Sequence, residues 1–440
     1  MNSSLWRGNS KLISRAPVSK NLSFDVAIIG AGFSGLWSAY HLKQLQPEVK
    51  IVIFESEYVG FGASGRNGGW ASAEYPTSAK RIIKEHGLDS YLQLRKSLIT
   101  SVSEIGQIAR DNNWQIDYAK GGALVFATNP AQLSRISSDI DDEHQLLSKS
   151  QVLELVNIPR ALGGVFTPHC AALNPFLLCQ ELAKYLEENG VLIFEKSTVS
   201  RVAKSELIVN EFKVKADISI MATEAFTPRS WQSNTQIPIY SLMVASEPLP
   251  KDVLADIRNS TRATLQEACH LITYAQFTGD GRLALGGRGV RYKLFSRLSE
   301  RSELDNRMHS ALERRARAWF PQLTDCKFDY RWGGPVALTR RWQAYLNFDQ
   351  STGMAKIGGY VGDGVTLSYL VAKTLAQKIS NQITPKLPFI EQKIGKWEVE
   401  PIRYLAVNAG FKATVAADYE EKITKRPSLL AAIIEPLINR

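Results

Sequence analysis

The residues with the clearest chemical meaning lie near the amino terminus, where an apolar run leads directly into a G-x-G-x-x-G turn. Its glycines are Gly30, Gly32 and Gly35. The first permits a tight strand-to-helix turn, the second lets the backbone approach a pyrophosphate, and the third lets the helix pack closely on the strand. A second apolar run, 51–54, is followed by Glu55, whose carboxylate is placed to hold ribose hydroxyls. The pattern predicts a dinucleotide site.

The helix expected after this turn supplies the positive part of the site. Its first backbone N–H groups, from Gly32 through Phe33 to Ser34, have no acceptor within the helix and point at a diphosphate together with the positive end of the helix dipole. A G-x-G-x-x-G sequence alone is a weak signal because glycine-rich turns are common. Here apolar residues at strand and helix spacing flank it, which favours nucleotide binding over a purely structural turn.

A glycine-dense loop follows at residues 60–70, with the sequence Gly-Phe-Gly-Ala-Ser-Gly-Arg-Asn-Gly-Gly-Trp. It is far longer than a simple turn requires. Backbone with so few side chains can lie flat against a ligand, so the loop is a second candidate binding segment.

Length and composition place the chain among globular proteins. Its 440 residues are too many for one compact core, so two interleaved domains are expected. An apolar content of 44%, a charged content of 22% and the lack of a bilayer-spanning apolar run exclude disordered and transmembrane classes. The first twenty residues are Ser-rich and basic without the apolar stretch of a secretory signal, and are expected to form a surface arm.

Cysteine usage and charge exclude further kinds of site. The cysteines are scattered without C-x-x-C spacing, so neither disulfides nor a metal site is predicted and a reducing cytoplasm is the expected location. They are Cys170, Cys179, Cys269 and Cys326. The formal net charge of +10 is dispersed, and its densest clusters, 314–317 and 340–341, have no interleaved aromatic platform. No nucleic-acid partner is therefore expected, although the charge is compatible with an acidic group on a substrate.

Apolar periodicity outlines the elements that must position these motifs. Helices are predicted over 79–110, 130–155, 176–189, 302–319 and 365–379, and strands at 122–127, 191–194, 218–223, 242–246, 270–277, 282–285 and 354–360. The strands between 237 and 334 are short and consecutive, which predicts an antiparallel sheet domain. The strand at 354–360 and the helix after it return the chain to the nucleotide domain.

Four separated blocks of the sequence carry a resemblance to a family of known enzymes. They are the fingerprint 30–35 with Glu55, the loop 60–70, Gly-Arg-Leu-Ala-Leu-Gly-Gly-Arg at 281–288, and Gly-Gly-Tyr-Val-Gly-Asp-Gly-Val at 358–365. In order and spacing they resemble the FAD-dependent amine and amino-acid oxidoreductases of the D-amino-acid oxidase, glycine oxidase and sarcosine oxidase group. The 60–69 loop is most similar to the γ-glutamylputrescine oxidase-like branch. The resemblance covers most of residues 24–385.

The element pattern and the resemblance together imply an α/β plus α+β fold class. A GR2-type, Rossmann-like FAD-binding domain is interleaved with an antiparallel-sheet substrate domain and followed by a C-terminal helical extension. The expected segments are an N-terminal arm at 1–23, an FAD-binding domain at 24–80, 161–236 and 335–385, a substrate domain at 81–160 and 237–334, and the extension at 386–440.

The cofactor that the resemblance implies is FAD, with the fingerprint at its ADP part, the 60–70 loop along its diphosphate, ribityl chain and flavin edge, and the backbone of residue 199 at adenine. The implied cofactor-binding residues are Gly30, Gly32, Phe33, Ser34, Gly35, Glu55, Ser64, Arg66, Asn67, Gly68, Gly69, Val199, Ala222, Gly362, Gly364, Val365 and Thr366. Arg66 could instead be a solvated loop charge. A flavin-side role is favoured because it is the only long cation among these glycines.

The resemblance places the helix that begins near Gly362 and Gly364 beside the N1–C2 carbonyl edge of the flavin. Hydride transfer puts negative charge on that edge, and oriented N–H groups at a helix N-terminus stabilise such charge. The alternative is that the two glycines only shape a turn. Family members often carry His where this chain has Asp363, so no role is carried over to that side chain.

The implied reaction is oxidation of the C–N bond of a small primary or secondary amine, which can carry a distal acidic group. Hydride passes to flavin N5, and the imine product is hydrolysed to an aldehyde or ketone. The candidate catalytic residues are Arg288, at a substrate-facing position, with Tyr274 and Tyr360 lining the flavin pocket; a surface arginine and ordinary core tyrosines are the alternatives. His169 and His270 could be acid-base groups, but lone histidines are more often structural.

Two departures from the family pattern bear on acceptor and substrate. The oxygen-activating lysine of sarcosine oxidase-like enzymes falls on Ala284, so of the two expected kinds of acceptor, O2 and a quinone or other electron carrier, O2 is disfavoured. The lysine that clamps a substrate carboxylate falls on Thr366. An anionic substrate group must then meet Arg288, Arg340 or Arg341.

Alternatives from other functional classes stay open. One is a D-amino-acid dehydrogenase-like enzyme, another a non-catalytic flavin-binding regulator, and a third an NAD-dependent dehydrogenase. The 60–69 loop and the late Gly-Asp-Gly helix favour FAD over NAD, and the block ending at Arg288 favours an enzyme. Among substrates, a γ-glutamylated polyamine, an amino acid and an aminoalkylphosphonate are not distinguished.

Overall fold

Two eight-stranded sheets and one two-stranded sheet organise the computed structural model, which describes residues 4–8, 13–138, 141–227 and 234–438. The strands are β1 (Leu22–Ile29), β2 (Ile51–Phe54), β3 (Trp70–Ser72), β4 (Ala123–Ala127), β5 (Gln145–Ser148), β6 (Gly163–Thr167), β7 (Cys170–Ala172), β8 (Leu192–Phe194), β9 (Val199–Ala203), β10 (Glu206–Val209), β11 (Phe212–Met221), β12 (Gln236–Ser246), β13 (Thr264–Glu267), β14 (Thr273–Phe277), β15 (Leu283–Arg288), β16 (Phe328–Thr339), β17 (Tyr345–Asp349) and β18 (Met354–Gly358). The helices are α1 (Phe33–Leu45), α2 (Ala79–His86), α3 (Leu88–Asp111), α4 (Pro130–Ser137), α5 (Lys149–Leu155), α6 (Pro175–Glu188), α7 (Lys251–Ile257), α8 (Glu300–Glu303), α9 (Asn306–Trp319), α10 (Gly364–Ile379), α11 (Ile402–Thr424) and α12 (Leu429–Ile438).

The first sheet has the strand order β17-β18-β11-β1-β2-β8, with β10 and β9 attached beside β11. The pairs from β18 to β8 are parallel, and Val26 of β1 lies between Ile218 of β11 and Ile51 of β2. Every residue of β2 is buried, as expected for a parallel strand covered on both faces. Because these strands run in one direction, the carboxyl ends of β1, β2, β11 and β18 meet at one edge, where ligands bind in such folds.

One face of this sheet is covered by a helical layer that includes α1, α3, α6 and α10. Trp37 of α1 is fully buried, and its ring meets that of Tyr369 of α10 edge-on at 4.8 Å between centroids. The segments around both residues were predicted as helices from their apolar spacing. The close packing of α1 against α10 holds the amino-terminal and late parts of the chain together.

The second sheet has the order β16-β12-β15-β14-β13-β4-β6-β5. All its pairs are antiparallel except β13 with β4, which are parallel, so the sheet is mixed where an antiparallel one was expected. The exception joins Leu265 to Leu124. Pairing between strands so far apart in sequence is set by packing of the whole layer and leaves no local signal. α9 packs on this sheet through Leu312 and Trp319.

Three elements lie across the domain boundaries drawn from the sequence. β6 falls in a segment assigned to the FAD-binding domain, yet pairs with β4 and β5 of the second sheet. α3 falls in a substrate-domain segment, yet its Leu98 and Ile105 are buried in the core of the first sheet. β16 continues past residue 335 because it stays paired with β12 to Thr339. The sheet or core on which each element packs decides the domain to which it belongs. The sequence pattern does not contain this information.

The amino-terminal segment, expected as a surface arm, is tied to the body of the fold at Trp6 and Arg15, although six of the eight residues at 13–20 are exposed. Trp6 is 2% exposed, and its Nε1 donates to the Asn67 carbonyl at 2.6 Å. Arg15 is buried and pairs with Glu187 at 2.7 Å and Glu195 at 3.2 Å. Indole burial and a doubly paired guanidinium tie this segment to the body of the fold.

The C-terminal extension is helical, as expected, and is held to the second sheet by charges. Glu421 of α11 accepts a hydrogen bond from Arg135 at 2.7 Å and lies 2.9 Å from Nε2 of His270. Asp418 accepts from two backbone N–H groups, the first that of residue 270 at 2.7 Å. Beyond these contacts of α11, Leu429 and Ile433 of α12 are exposed. Within the described ranges, no helix combines the length and apolarity needed to cross a membrane.

We expect Arg15→Met to lower the free energy of unfolding by about 3–5 kcal/mol, because it leaves the buried carboxylate of Glu195 without its cation. Lys196→Met is the matched control: Lys196 pairs with Glu57 on the surface, and its loss costs less than about 1 kcal/mol. Urea unfolding of both variants measures the difference. Equal losses in the two variants would contradict the structural role of the amino-terminal segment.

Candidate active site

Two glycines shape the turn that follows β1. Gly30 has a φ of +103°, and a Cβ there would lie 2.7 Å from the carbonyl oxygen of Ala222. A Cβ on Gly35 would lie 2.0 Å from the carbonyl oxygen of Gly30. The turn can therefore pass close to β11, and α1 can start close to the turn, only because these side chains are missing.

Glu55 is bonded to this turn at the carboxyl end of β2. Its Oε2 accepts from the N–H of Ala31 at 2.9 Å, and its Oε1 accepts from the N–H of Glu57 at 2.9 Å. Burial raises the pKa of Glu55, and the two backbone donors oppose that shift. The carboxylate is thus held at one end of the cleft that opens along the sheet edge.

This cleft runs along the carboxyl ends of β1, β2, β11 and β18 and has about 1240 Å³ of space between its walls, partly open to solvent. Of the residues predicted from the sequence to form the site, those that line the cleft are Gly30, Gly32, Phe33, Ser34, Glu55, Ser64, Asn67, Val199, Ala222, Tyr360, Gly362, Gly364 and Val365. Those that do not are Gly35, Arg66, Gly68, Gly69, Tyr274, Arg288 and Thr366.

The 60–70 loop forms one wall of the cleft and is held in shape by its own hydrogen bonds. The Asn67 side chain donates to the carbonyls of Ala63 and Ser64 at 3.1 and 2.8 Å and accepts from the N–H of Gly69 at 2.7 Å. Ser64 Oγ accepts from the N–H of Phe33 at 2.9 Å, which joins the loop to the start of α1. These bonds shape the loop into a wall that satisfies one N–H group in the first turn of the helix.

Gly68 and Gly69 are needed for packing against the second sheet. A Cβ on Gly68 would lie 2.4 Å from the ring of Tyr274, and one on Gly69 would lie 2.2 Å from Nε2 of Gln276. That amide donates to the carbonyl of Gly68 at 2.6 Å. The two glycines let β14 support the loop from behind, which explains why they do not line the cleft.

Arg66 lies behind the loop with part of its donor capacity unused. Its Nη1 donates to Glu303 at 2.9 Å and to the carbonyl of Gly333 at 3.1 Å, and its guanidinium lies 5.0 Å from the ring centre of Phe61, a cleft residue. Nη2 is buried without a hydrogen-bond partner among the described residues. Arg66 is therefore not a solvated surface charge, and its Nη2 is an unused donor next to the cleft.

The start of α10 forms the opposite wall. Ser34 Oγ, in the first turn of α1, and Tyr360 OH, just before α10, are 2.8 Å apart. Burial, and then the negative charge of Glu224, raise the pKa of Tyr360 well above its usual value, so the phenol is neutral at ordinary pH. The N-terminal ends of two helices from distant parts of the chain therefore open onto one cleft.

Arg288 and Tyr274 lie at the junction of this wall with the second sheet. Arg288 Nη2 donates to the carbonyl of Val361, and a Cβ on Gly362 would lie 2.5 Å from the same nitrogen. Tyr274 OH is 3.0 Å from Ser241 Oγ, and burial raises the pKa of this phenol. Both residues approach the cleft from the second sheet without lining it.

Three further features of the site were not predicted from the sequence. Trp6 donates a hydrogen bond to the carbonyl of Asn67 in the loop, and its ring meets that of Trp332 edge-on at 6.0 Å between centroids. The sequence around Trp6 contains no motif that indicates these contacts. Residues 335–337 of β16 line the cleft, as does Glu224, which lies three residues after the buried carboxyl end of β11. Acids after buried strands are a general sign of a sheet-edge site, and that signal could have found Glu224.

The two histidines considered as acid-base groups are placed elsewhere. His270 Nε2 lies 2.9 Å from Glu421, where the C-terminal extension contacts the second sheet. His169 follows β6 on the second sheet, and its carbonyl accepts from the N–H of Ala73 at 3.1 Å. Neither lines the cleft.

Comparison with known proteins identifies relatives over most of the chain. Residues 25–378 match the family described as FAD dependent oxidoreductase. A probable oxidoreductase of Haemophilus influenzae is 29% identical over 373 residues, covering 81% of this chain and 82% of the relative. Gamma-glutamylputrescine oxidoreductase of Escherichia coli is 27% identical over 378 residues, covering 82% and 84%. D-amino acid dehydrogenase of Vibrio cholerae is 22% identical over 321 residues, covering 59% and 74%.

Solved structures share the fold. Glycine oxidase from Geobacillus kaustophilus superposes with a TM-score of 0.69 at 18% identity, covering 85% of this chain and 100% of that one. L-proline dehydrogenase from P. horikoshii superposes with a TM-score of 0.68 at 16% identity, covering 84% and 96%. The expected fold class is thereby confirmed.

We expect Gly35→Ala to destabilise the protein by about 1–3 kcal/mol, because the new Cβ must push α1 away from the Gly30 carbonyl. Gly410→Ala is the control: Gly410 lies in α11, a Cβ there would meet no atom within 4 Å, and better helix propensity should stabilise by up to about 1 kcal/mol. Thermal or urea unfolding gives both values. A neutral Gly35→Ala variant would show that the turn is not closely packed.

Proposed function

Since the chain belongs to the FAD-dependent oxidoreductase family that its residues 25–378 match, we propose that it oxidises the C–N bond of a small primary or secondary amine that carries an acidic group. The chain is an FAD-dependent oxidoreductase acting on amines or amino acids, as its relatives indicate. One observation carries the finer proposal: the N-terminal ends of α1 and α10 open onto one cleft beside Arg288. The first suits a diphosphate and the second a reducible ring edge.

The residues of the cleft fit FAD. The start of α1 suits the diphosphate, Glu55 and the Val199 backbone suit the adenosine end, and the start of α10 suits the ring. Two buried donors without partners among the described residues, Arg66 Nη2 and Thr366 Oγ1, lie just behind the walls. When bound, FAD supplies the hydride acceptor for the substrate carbon.

The chain's own part in the reaction is positioning and electrostatic stabilisation. The N–H groups at the start of α10 would stabilise negative charge developing on the ring edge without a proton donor. Tyr274 and Tyr360 have raised pKa values and are therefore protonated, so they act as hydrogen-bonding walls and not as bases. Orientation of the amine carbon over the ring then provides most of what side chains can add.

Arg288 is the favoured partner for an acidic group of the substrate. The preference rests on position: Arg288 donates to the carbonyl of Val361, a cleft residue, whereas Arg340 pairs with Glu398 at 3.1 Å and Arg341 with Glu85 at 2.7 Å. Arg288 lies between the second sheet and Val361, next to the start of α10. The Escherichia coli relative is named for γ-glutamylputrescine, and an amine of that general kind fits this arrangement.

We propose a quinone or other electron carrier as the acceptor. Ala284, where the resemblance expects an oxygen-activating lysine, is fully buried in an apolar cluster with Met243, Trp6 and Trp332. No cation can act from that position. A second candidate activity, oxidation of a D-amino acid, is favoured by the similarity to the Vibrio cholerae dehydrogenase.

Anaerobic mixing of the holoenzyme with a panel of amines tests the activity. We expect the visible flavin absorption to bleach with amines bearing an acidic group, and D-amino acids in the same panel test the second candidate. Adding a quinone should restore the colour faster than adding air. A panel that never bleaches the flavin would favour a flavin-binding regulator, and rapid recovery in air would contradict the proposed acceptor.

Arg288→Met should raise KM for an acidic amine by an amount equivalent to about 2–4 kcal/mol, because a desolvated ion pair is lost. KM for a neutral amine should change little. Arg341→Met, which removes the surface pair with Glu85, is the matched control and should leave both values near wild type. Steady-state kinetics on the two amines measures this, and an unchanged KM for the acidic amine would remove Arg288 from the substrate site.

A further inference from the structure

The described residues that line the cleft include two acids, Glu55 and Glu224, and neither lysine nor arginine. The cofactor that must occupy it carries a diphosphate with two negative charges. Backbone N–H groups at the helix starts can offset that charge, but a carboxylate beside it adds repulsion in a site of low dielectric. Glu55 has an understood place at the ribose end. Glu224 needs a separate explanation.

The carboxyl group of Glu224 is held in position by two backbone hydrogen bonds. Its Oε1 accepts hydrogen bonds from the N–H groups of Gly359 at 2.8 Å and Tyr360 at 3.3 Å, which lead into the start of α10. The residue has a φ of +44°, which a side-chain-bearing residue adopts at a conformational cost. Backbone strain of this kind persists where the surrounding structure requires it. The carboxyl group thereby links the end of β11 to the loop before α10.

The groups that face Glu224 include no cation among the described residues. The phenols of Tyr345 and Tyr360 face it from β17 and from the loop after β18, and Gln236 of β12 bonds the Tyr345 phenol. Glu55, the other acid of the cleft, follows β2, which is separated from β11 by β1 in the sheet. Burial raises the pKa of Glu224 to about 7, and the two backbone bonds oppose that shift. The ionised carboxylate therefore has little to compensate it.

We propose that Glu224 binds FAD as a neutral carboxylic acid. Its Oε1 accepts from the Gly359 and Tyr360 amides, and its Oε2 donates the carboxyl proton to an oxygen of the diphosphate or of the ribityl chain. In this state the side chain gives the cleft a hydrogen-bond donor in place of a repelling charge. Cofactor binding is then coupled to uptake of a proton by this chain.

The sign of the coupling follows from the charges. Without FAD, Glu224 is largely protonated below pH 7 and largely ionised above it, because its pKa is about 7. The diphosphate disfavours the carboxylate further, so the bound form keeps the proton to higher pH. FAD affinity is therefore greatest below neutral pH and falls as the pH rises through 7.

Release of FAD from diluted holoenzyme, followed by the fluorescence of free flavin, tests the proposal. The FAD dissociation constant of the wild type should rise roughly ten- to thirtyfold between about pH 6 and about pH 8.5. Glu224→Gln keeps the acceptor for both amides and a donor toward the cleft, so its dissociation constant should stay low and nearly flat with pH. Glu55→Gln, the control, should weaken binding yet keep the wild-type dependence on pH.

Calorimetric titration in buffers of different ionisation enthalpy gives a second readout that is independent of activity. Near pH 7.5 the wild type should take up about three-quarters of a proton per FAD bound, because about a quarter of Glu224 is already protonated, and Glu224→Gln should take up almost none. A wild type whose affinity does not depend on pH, a Glu224→Gln variant that keeps the dependence, or loss of the dependence in Glu55→Gln would overturn the proposal.

Discussion

The meeting of two helix N-terminal ends at one sheet edge is the constraint on which the rest of the site depends. β1 and β18 both pair in parallel with β11, so their carboxyl ends lie at the same edge of the sheet on either side of β11. The two strands are more than 300 residues apart in sequence. The hydrogen bond between Ser34 and Tyr360 then joins the start of α1 to the segment leading into α10. A dinucleotide can be held at both its phosphate and its ring only because these starts are fixed together.

The second sheet and the amino-terminal segment keep the loop wall in place. Gln276 of β14 bonds the loop carbonyls from behind, and Trp332 of β16 donates to the carbonyl of Arg66 at 2.9 Å. Trp6 bonds the carbonyl of Asn67 from a third direction. A loop so rich in glycine would otherwise be conformationally free, and these three contacts give it one shape. Binding at the first sheet is thus supported by elements outside it.

Local chemistry made part of this structure predictable from the sequence. The fingerprint at Gly30 and Gly35 encodes its own turn, because only glycine fits those positions, and the flanking strand and helix follow from apolar spacing. The parallel pairing of β13 with β4 and the burial of Trp6 were not predictable, since contacts between distant segments leave no periodic signal. Glu224 could have been found as an acid that follows a predicted strand, but its bonds to the amides of Gly359 and Tyr360 could not, because only the fold brings those segments together.

A crystal structure of the holoprotein tests the central claim most directly. The account predicts one FAD per chain in the cleft, with its diphosphate at the start of α1, its ring edge at the start of α10 and the Ser34 to Tyr360 hydrogen bond intact. Electron density that places the flavin ring away from the start of α10, or the diphosphate away from residues 30–35, would contradict it.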